Sequence, residues 1–181
     1  ERAALLERSS TLLEQALPWR ADTVSVRQGL AAAAQGDTER ARTWWARTPH
    51  ALPLLMSQGN AALGLGKTDQ AAAWYDHALA LAPQSSTVLA SAASIALSQG
   101  RTDDALAMLR SALELDTFDG GDAERARSYT TVARILASRQ QWDDALRAYQ
   151  QAQAIAPRFT AQRDVAAALH GRDGNYVAAE A

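Results

Sequence analysis

The first segment of the chain whose residues could do chemistry is Gly64-Leu-Gly-Lys-Thr68. A Gly-Lys-Thr ending is shared by phosphate-binding loops, in which backbone N–H groups and the lysine hold the phosphates. Such a loop also needs a glycine five residues before the Gly-Lys pair and a strand leading into it. Position 61 is Ala, and the residues before it have a helical pattern. We therefore interpret this segment as a turn and predict no phosphate site.

Paired carboxylates occur twice, at Asp103-Asp104 and at Asp143-Asp144. General acid–base catalysis uses two carboxylates that face one substrate. Adjacent residues of a helix point ~100° apart, so these pairs do not converge. Both pairs stand where a helix is predicted to begin, and negative charge is favourable there. We interpret them as helix-start electrostatics.

The remaining acids and the histidines lack the spacing of metal ligands or of a catalytic triad. Four acids share one loop: Asp116, Asp119, Asp122 and Glu124. A calcium loop needs alternating oxygen ligands around a glycine and a glutamate at the twelfth position, and this spacing differs. A solvated insertion is the favoured interpretation and loose cation binding the alternative. His50, His77 and His170 lack a spaced second ligand. We predict no catalytic residue, no metal site and no cofactor.

Composition excludes several other classes of protein. The chain has 181 residues, no cysteine and a formal charge of −2, from 18 basic and 20 acidic residues. Without cysteine there is no disulfide, thiolate metal site or thiol nucleophile. The near-neutral charge gives no reason to expect nucleic acid as a partner. No apolar run approaches the ~18 residues of a membrane span, so this segment is not expected to insert directly.

Alanine dominates the apolar composition. Hydrophobic residues make up 48% of the chain and aromatic residues only 6%, while 42 residues are alanine. Alanine is the strongest intrinsic helix former, and residues that favour strands are scarce. The composition therefore predicts an all-α fold.

A repeated unit organises the helical pattern. Five alanines occupy one repeat position, with steps of 30, 34, 40 and 34 residues between them: Ala41, Ala71, Ala105, Ala145 and Ala179. Four residues after the first four of these stand large side chains: Trp45, Tyr75, Leu109 and Tyr149. Twelve residues before the alanines is a column of small residues: Gly29, Gly59, Ala93, Ala133 and Ala167. Intervals of three and four residues share a helix face, so each alanine and large residue form one packing stripe.

These columns resemble the tetratricopeptide repeat, a helix–turn–helix unit of 34 residues. The best matches carry its small, aromatic, alanine and proline positions in register: Leu55, Gly59, Gly66, Ala71, Tyr75, Ala78 and Pro83, and then Tyr129, Ala133, Trp142, Ala145, Tyr149, Ala152 and Pro157. The resemblance covers residues 22–181 and implies a right-handed superhelix, or α-solenoid, of bacterial type. One such hairpin cannot bury its stripe alone, so neighbouring repeats must stack.

The steps divide the chain into six parts. They are an N-terminal helix or partial repeat (1–21), a short degenerate repeat (22–51), a repeat (52–85), a repeat with an extended loop at 117–122 (86–125), a repeat (126–159) and a truncated repeat (160–181). The pattern predicts helices over 2–17, 38–48, 123–139 and 175–181, among others. An enlarged loop on a regular array is a common place for function.

The resemblance implies that first helices line a concave groove in which ligands lie. The residues predicted to contact a partner there are Arg27, Met56, Asn60, Ser94, Arg127, Thr130 and Arg134. The Asn60 amide suits a peptide backbone, and two arginines two turns apart suit a carboxylate. One subfamily holds chaperone tails with paired Lys, Asn or Arg residues, but only Asn60 and Arg134 match that set, so this specific role is rejected.

We consider three hypotheses for the function of this chain. The first is a non-enzymatic protein–protein interaction module that binds a peptide or partner segment, with an acidic or carboxylate group, in the groove. The second is a structural accessory arm of a larger membrane-associated protein, such as a glycan-assembly enzyme or a secretion component. The third is an enzyme, against which the missing catalytic motifs argue.

The ends of the chain led to further expectations. It begins at Glu1 rather than Met and stops inside its last repeat, so we expect a fragment of a larger protein. No leader is visible, which leaves cytoplasm and periplasm as compartments. An uncapped solenoid end tends to associate, so self-association is predicted through residues 160–181.

Overall fold

A computed structural model describes residues 21–48, 50–157 and 162–172 of the chain. These residues contain α-helices and no β-strand, which confirms the all-α prediction. The helices of the described ranges are α1 (Ala21–Ala34), α2 (Thr38–Trp45), α3 (Ala51–Gly64), α4 (Thr68–Leu81), α5 (Ser86–Ser98), α6 (Thr102–Leu113), α7 (Gly121–Ser138), α8 (Trp142–Ile155) and α9 (Gln162–Arg172). None of them is both long and apolar enough to cross a bilayer.

Helix boundaries lie within two residues of the predicted ones, except at the end of α2. Helix α2 ends at Trp45, three residues before the predicted end at 48. Helix α7 begins at Gly121, two residues before the predicted start at 123. The helices predicted over 2–17 and 175–181 lie outside the described residues. The division into repeats remains a prediction.

The turns between the paired helices share one backbone conformation. At the same repeat position the backbone is left-handed, with φ of 79° at Gly36, 71° at Gly66, 75° at Gly100 and 62° at Gln140. Glycine adopts this conformation without a Cβ clash. The turn position of the repeat therefore requires a left-handed backbone, which favours glycine. Gln140 adopts this backbone conformation although it has a side chain.

The chain forms two compact units, and the first is Glu1–Pro83. Here α1 packs against α2, and α3 packs against α4. Trp45 is 1% exposed and donates from Nε1 to the Val26 carbonyl at 3.3 Å. Leu55 and Tyr75 are buried as well. Alanines at the repeat position keep the helix axes close, and the large residues between them fill the space.

The second unit is Gln84–Ala181. Helix α5 packs against α6, α7 against α6 and α8, and α9 against α8. Its core consists of small and branched residues with one aromatic ring, among them Ala93, Leu109, Ala133, Leu136 and Tyr149. The alanine columns of the repeat thus lie in this core.

The 117–122 loop folds back onto the start of α5. The Asp119 backbone N–H donates to Ser86 Oγ at 2.7 Å, and Ser85 Oγ donates to Asp119 Oδ2 at 2.7 Å. Nearby, Thr87 Oγ1 donates to Glu124 Oε2 at 3.2 Å. Ser86 is fully buried. The loop is therefore tied to the N-terminal end of α5 through hydroxyl groups.

Candidate functional site

The seven residues predicted to contact a partner divide between the two units. Arg27, Met56 and Asn60 belong to the first unit, while the other four belong to the second.

In the first unit, Arg27 of α1 is exposed and Met56 of α3 is half-buried. Asn60 is exposed, and its Oδ1 accepts a hydrogen bond from Tyr75 Oη at 2.8 Å. The packing tyrosine of α4 therefore orients this amide. The side-chain amide of Asn60 also has an NH2 group, which can donate hydrogen bonds.

In the second unit, α5 and α7 form the walls of a cavity of about 410 Å³, with Leu109 of α6 among its lining residues. We call it the α5–α7 cavity. Its lining from α5 is Ala90, Ser91, Ser94 and Leu97, and its lining from α7 is Glu124, Arg127, Ser128, Thr131 and Arg134. Three predicted residues, Ser94, Arg127 and Arg134, thus lie around one cavity. Small residues on α5 make its wall shallow, and long charged side chains stand on α7.

Thr130 was placed in the groove by the sequence pattern, and the structure corrects this. Its side chain is 2% exposed, and its Oγ1 donates to the Ala126 carbonyl at 2.9 Å. The neighbouring Thr131 lines the cavity instead. Adjacent helical residues point ~100° apart, so a one-residue error in phase moves a side chain from the groove into the core.

The two arginines of the cavity are seven residues apart on α7, which is ~10.5 Å along the helix axis. Both are exposed. Glu124 stands three residues before Arg127 and is half-buried. The face of α7 that lines this cavity therefore carries an acid followed by two bases.

A second cavity, of about 540 Å³, lies between α7, α8 and α9. We call it the α7–α9 cavity, and its lining includes Arg134, Trp142, Tyr149, Asp164 and Ala167. Arg134 lines both cavities. Its Nε donates to Asp164 Oδ2 at 3.0 Å, and the side chains of this ion pair are 64% and 38% exposed. The ion pair therefore lies where the two cavities meet.

Tyr149 connects the core to this ion pair. Its side chain is 3% exposed, and its pKa is raised to about 12, mainly by burial. The nearby Asp164 carboxylate contributes to this increase, and the Arg134 guanidinium opposes it. The phenol is accordingly neutral at physiological pH and is a packing group.

Several of the other residues considered for chemistry have structural roles. Residues 64–68 form the end of α3, a turn and the start of α4. Asp103 pairs with Arg139 at 2.6 Å and Asp104 with Arg101 at 3.1 Å, so these two carboxylates have different partners. Within the described ranges, no three potential metal ligands are grouped where they could hold an ion.

Glu124 was not predicted to contact a partner. It lies one turn before Arg127, inside the helix predicted over 123–139, but it was grouped with the acids of the neighbouring loop. Because α7 begins at Gly121, that turn is helical and Glu124 shares a face with the arginines.

Solved structures share this fold. The chain is similar to the MamA protein crystal structure, with a TM-score of 0.61 and 20% identity over 85% of this chain and 84% of that one. It is also similar to the Arabidopsis OM64 TPR domain, with a TM-score of 0.57 and 18% identity over 69% and 97% of the two chains. A third similar structure is the Sgt2 TPR domain from Aspergillus fumigatus, with a TM-score of 0.57 and 18% identity over 74% of this chain and 84% of that one. At these identities the likeness concerns the fold alone.

The sequence itself matches family models. No curated protein matches it significantly. Two models described as tetratricopeptide repeat match residues 26–86 and 84–158. The matched residues run through α2 to α8, with the left-handed turns and the alanine packing columns described above. The chain therefore belongs to the tetratricopeptide repeat family.

Proposed function

We propose that this chain is a non-enzymatic interaction module that binds a peptide or partner segment in its groove, with the α5–α7 cavity as the main contact. Tetratricopeptide repeat domains generally mediate protein–protein interactions. The observation that carries the proposal is that Ser94, Arg127 and Arg134 line one cavity. Arg27, Met56 and Asn60 are proposed as contacts in the first unit.

The lining of the cavity suits a peptide with an acidic group. Arginine presents a planar fork of donors that matches a carboxylate, and its charge persists at physiological pH. Ser91 and Ser94 add hydroxyl groups, which can donate to or accept from a peptide backbone. Thr131 Oγ1 donates to the Arg127 carbonyl at 3.0 Å and adds an acceptor. The shallow α5 wall leaves room for a main chain beside them.

The existing ion pair of Arg134 leaves this arginine able to bind a ligand. Exposed ion pairs contribute only ~0–1 kcal/mol. With exposures of 64% and 38%, the Arg134–Asp164 pair is of this kind. A ligand carboxylate can therefore share or replace Asp164 at little cost.

A capture experiment tests the proposal. The full protein carrying Arg127→Glu with Arg134→Glu should recover markedly less partner from extracts of its source cells than the wild type. Arg110→Glu with Arg147→Glu makes the same charge change at exposed arginines of α6 and α8 and should leave recovery unchanged. Circular dichroism would verify that both variants are folded.

The other functions considered predict different results. A structural accessory arm predicts equal recovery by the wild type and both variants. An enzyme predicts turnover that depends on a titratable group in a cavity.

Self-association through 160–181 remains a prediction. Within that end, Leu169 of α9 is 38% exposed, and sedimentation at rising concentration would detect the association.

A further inference from the structure

The charged residues at the two cavities of the second unit have a definite order. Along the groove face of α7, the acid Glu124 is followed by the bases Arg127 and Arg134. Asp164 of α9 contacts Arg134, the base farther from Glu124. Each of the two bases thus has an acid beside it. We call this set the charge row.

We propose that the charge row selects a partner segment with an acidic centre flanked on both sides by basic residues, rather than a uniformly acidic one. This inference rests on the proposed function, because it assumes that the partner lies along the α5–α7 cavity. It adds the charge pattern of the ligand and assigns selectivity to Glu124 and Asp164.

The length of the row suits a short extended segment. Glu124 and Arg134 are ten residues apart, or ~15 Å along the helix. An extended chain covers ~3.3 Å per residue, so about five ligand residues span this distance. Acidic side chains near the middle can reach the arginines, and basic residues a few positions away then approach the two acids.

The Asp164 contact gives a reason for the flanking base on one side. In the unliganded chain, Arg134 Nε donates to Asp164 Oδ2. A ligand carboxylate that binds Arg134 weakens this pairing and brings a second negative charge close to Asp164. A ligand lysine or arginine beside Asp164 restores the charge balance, whereas a further ligand acid is repelled.

Glu124 acts in the same way at the other end. Its Oε2 accepts from Thr87 Oγ1 at 3.2 Å, which connects the carboxylate to the start of α5. The side chain is half-buried, so its position is restricted. A positioned carboxylate attracts a ligand base and disfavours an acid at this end of the cavity.

Selection from random peptides displayed on phage tests the charge pattern. The baits are the full protein, the isosteric variant Glu124→Gln with Asp164→Asn, and the arginine variant Arg127→Glu with Arg134→Glu. A matched control, Glu114→Gln with Asp143→Asn, neutralises two exposed acids outside the charge row. Binding of selected synthetic peptides, with their flanking bases kept or replaced by alanine, is then measured by calorimetry.

The inference predicts that the wild type and the control enrich peptides with an acidic centre and flanking bases. Replacing those bases should weaken binding about fivefold, as expected for two exposed ion pairs, and the isosteric variant should lose this discrimination. Acidic peptides enriched without flanking bases, or discrimination unchanged in the isosteric variant, would overturn the charge pattern and leave the proposed function intact. If nothing is enriched, or enrichment persists in the arginine variant, the proposed function fails and the inference fails with it.

Discussion

The indole of Trp45 packs against the backbone of Gly29, so closely that a Cβ at position 29 would lie 2.1 Å from Trp45 Nε1. The same relationship recurs in the next helix pair, where a Cβ on Gly59 would lie 2.6 Å from the Tyr75 ring. In the second unit the equivalent positions hold alanine, at Ala93 and Ala133, and both are fully buried. The first unit therefore depends on the absence of a side chain at its small-residue positions.

Gly29→Ala should destabilise the first unit because the added methyl has no space beside Trp45. We expect the free energy of unfolding to fall by about 1–3 kcal/mol, the usual cost of overpacking. Urea unfolding followed by tryptophan fluorescence measures this. Gly64→Ala is the matched control, because nothing lies within 4 Å of its added Cβ. It should leave stability unchanged or raise it by up to ~1 kcal/mol. Equal losses in both variants would contradict the packing account.

Gln140→Gly should stabilise the chain. Gln140 has a φ of 62° at a position where the other described turns have glycine. A side chain in the left-handed region costs ~1–2 kcal/mol, and part of the gain is offset by the greater freedom of glycine in the unfolded chain. We expect a net increase of about 1 kcal/mol in the free energy of unfolding, measured by urea denaturation. The reverse change, Gly100→Gln, should lower stability by a similar amount. A loss of stability in Gln140→Gly would show that the Gln140 side chain has a larger structural role.

His77 should make the stability of the first unit depend on pH. Its ring lies 5.3 Å from Trp45 and 6.4 Å from Trp74, between ring centroids. Burial lowers the pKa of His77 below its usual 6.5, and the Asp76 carboxylate partly opposes this. Because the pKa of His77 is lower in the folded than in the unfolded state, the neutral ring contributes fully to the free energy of unfolding when the pH is above the unfolded pKa. This contribution is lost as the pH falls from the unfolded pKa through the folded pKa.

The measurement is the free energy of unfolding of the wild type and His77→Gln, from urea titrations between about pH 7 and pH 5. The wild type should lose more stability on acidification than the variant. Parallel losses in the two proteins would assign the pH dependence to other groups. NMR titration of the His77 ring should place its pKa below 6.5 in the folded protein.

The repeat columns of the sequence were sufficient to predict the helix pairs and their packing stripe. Ala71 and Tyr75 are buried as their spacing required, and so are Ala145 and Tyr149. These features depend on local periodicity, which a single sequence records. The spacing of Arg127 and Arg134 on one helix also predicted their common face, and both line one cavity. The groove implied by the family resemblance stays a prediction.

Contacts between distant segments could not be predicted in the same way. The Arg134–Asp164 pair joins residues 30 positions apart, and Ser86 binds Asp119 over 33 positions. No period relates an insertion loop to the helix that it contacts. Thr130 failed for a different reason. The repeat register placed it on the groove face, but its side chain is buried and its Oγ1 is satisfied within its own helix by the Ala126 carbonyl.

Site-specific photocross-linking tests the central claim most directly. Benzoylphenylalanine would replace Ser94 inside the α5–α7 cavity or, as a control, Ser111, which is exposed on α6. Irradiation of source cells that express the full protein would then trap any neighbouring partner. We predict a discrete cross-linked partner from position 94 and none from position 111, with the adduct lost in Arg127→Glu with Arg134→Glu. A partner trapped equally at both positions, or only at position 111, would contradict binding in the groove.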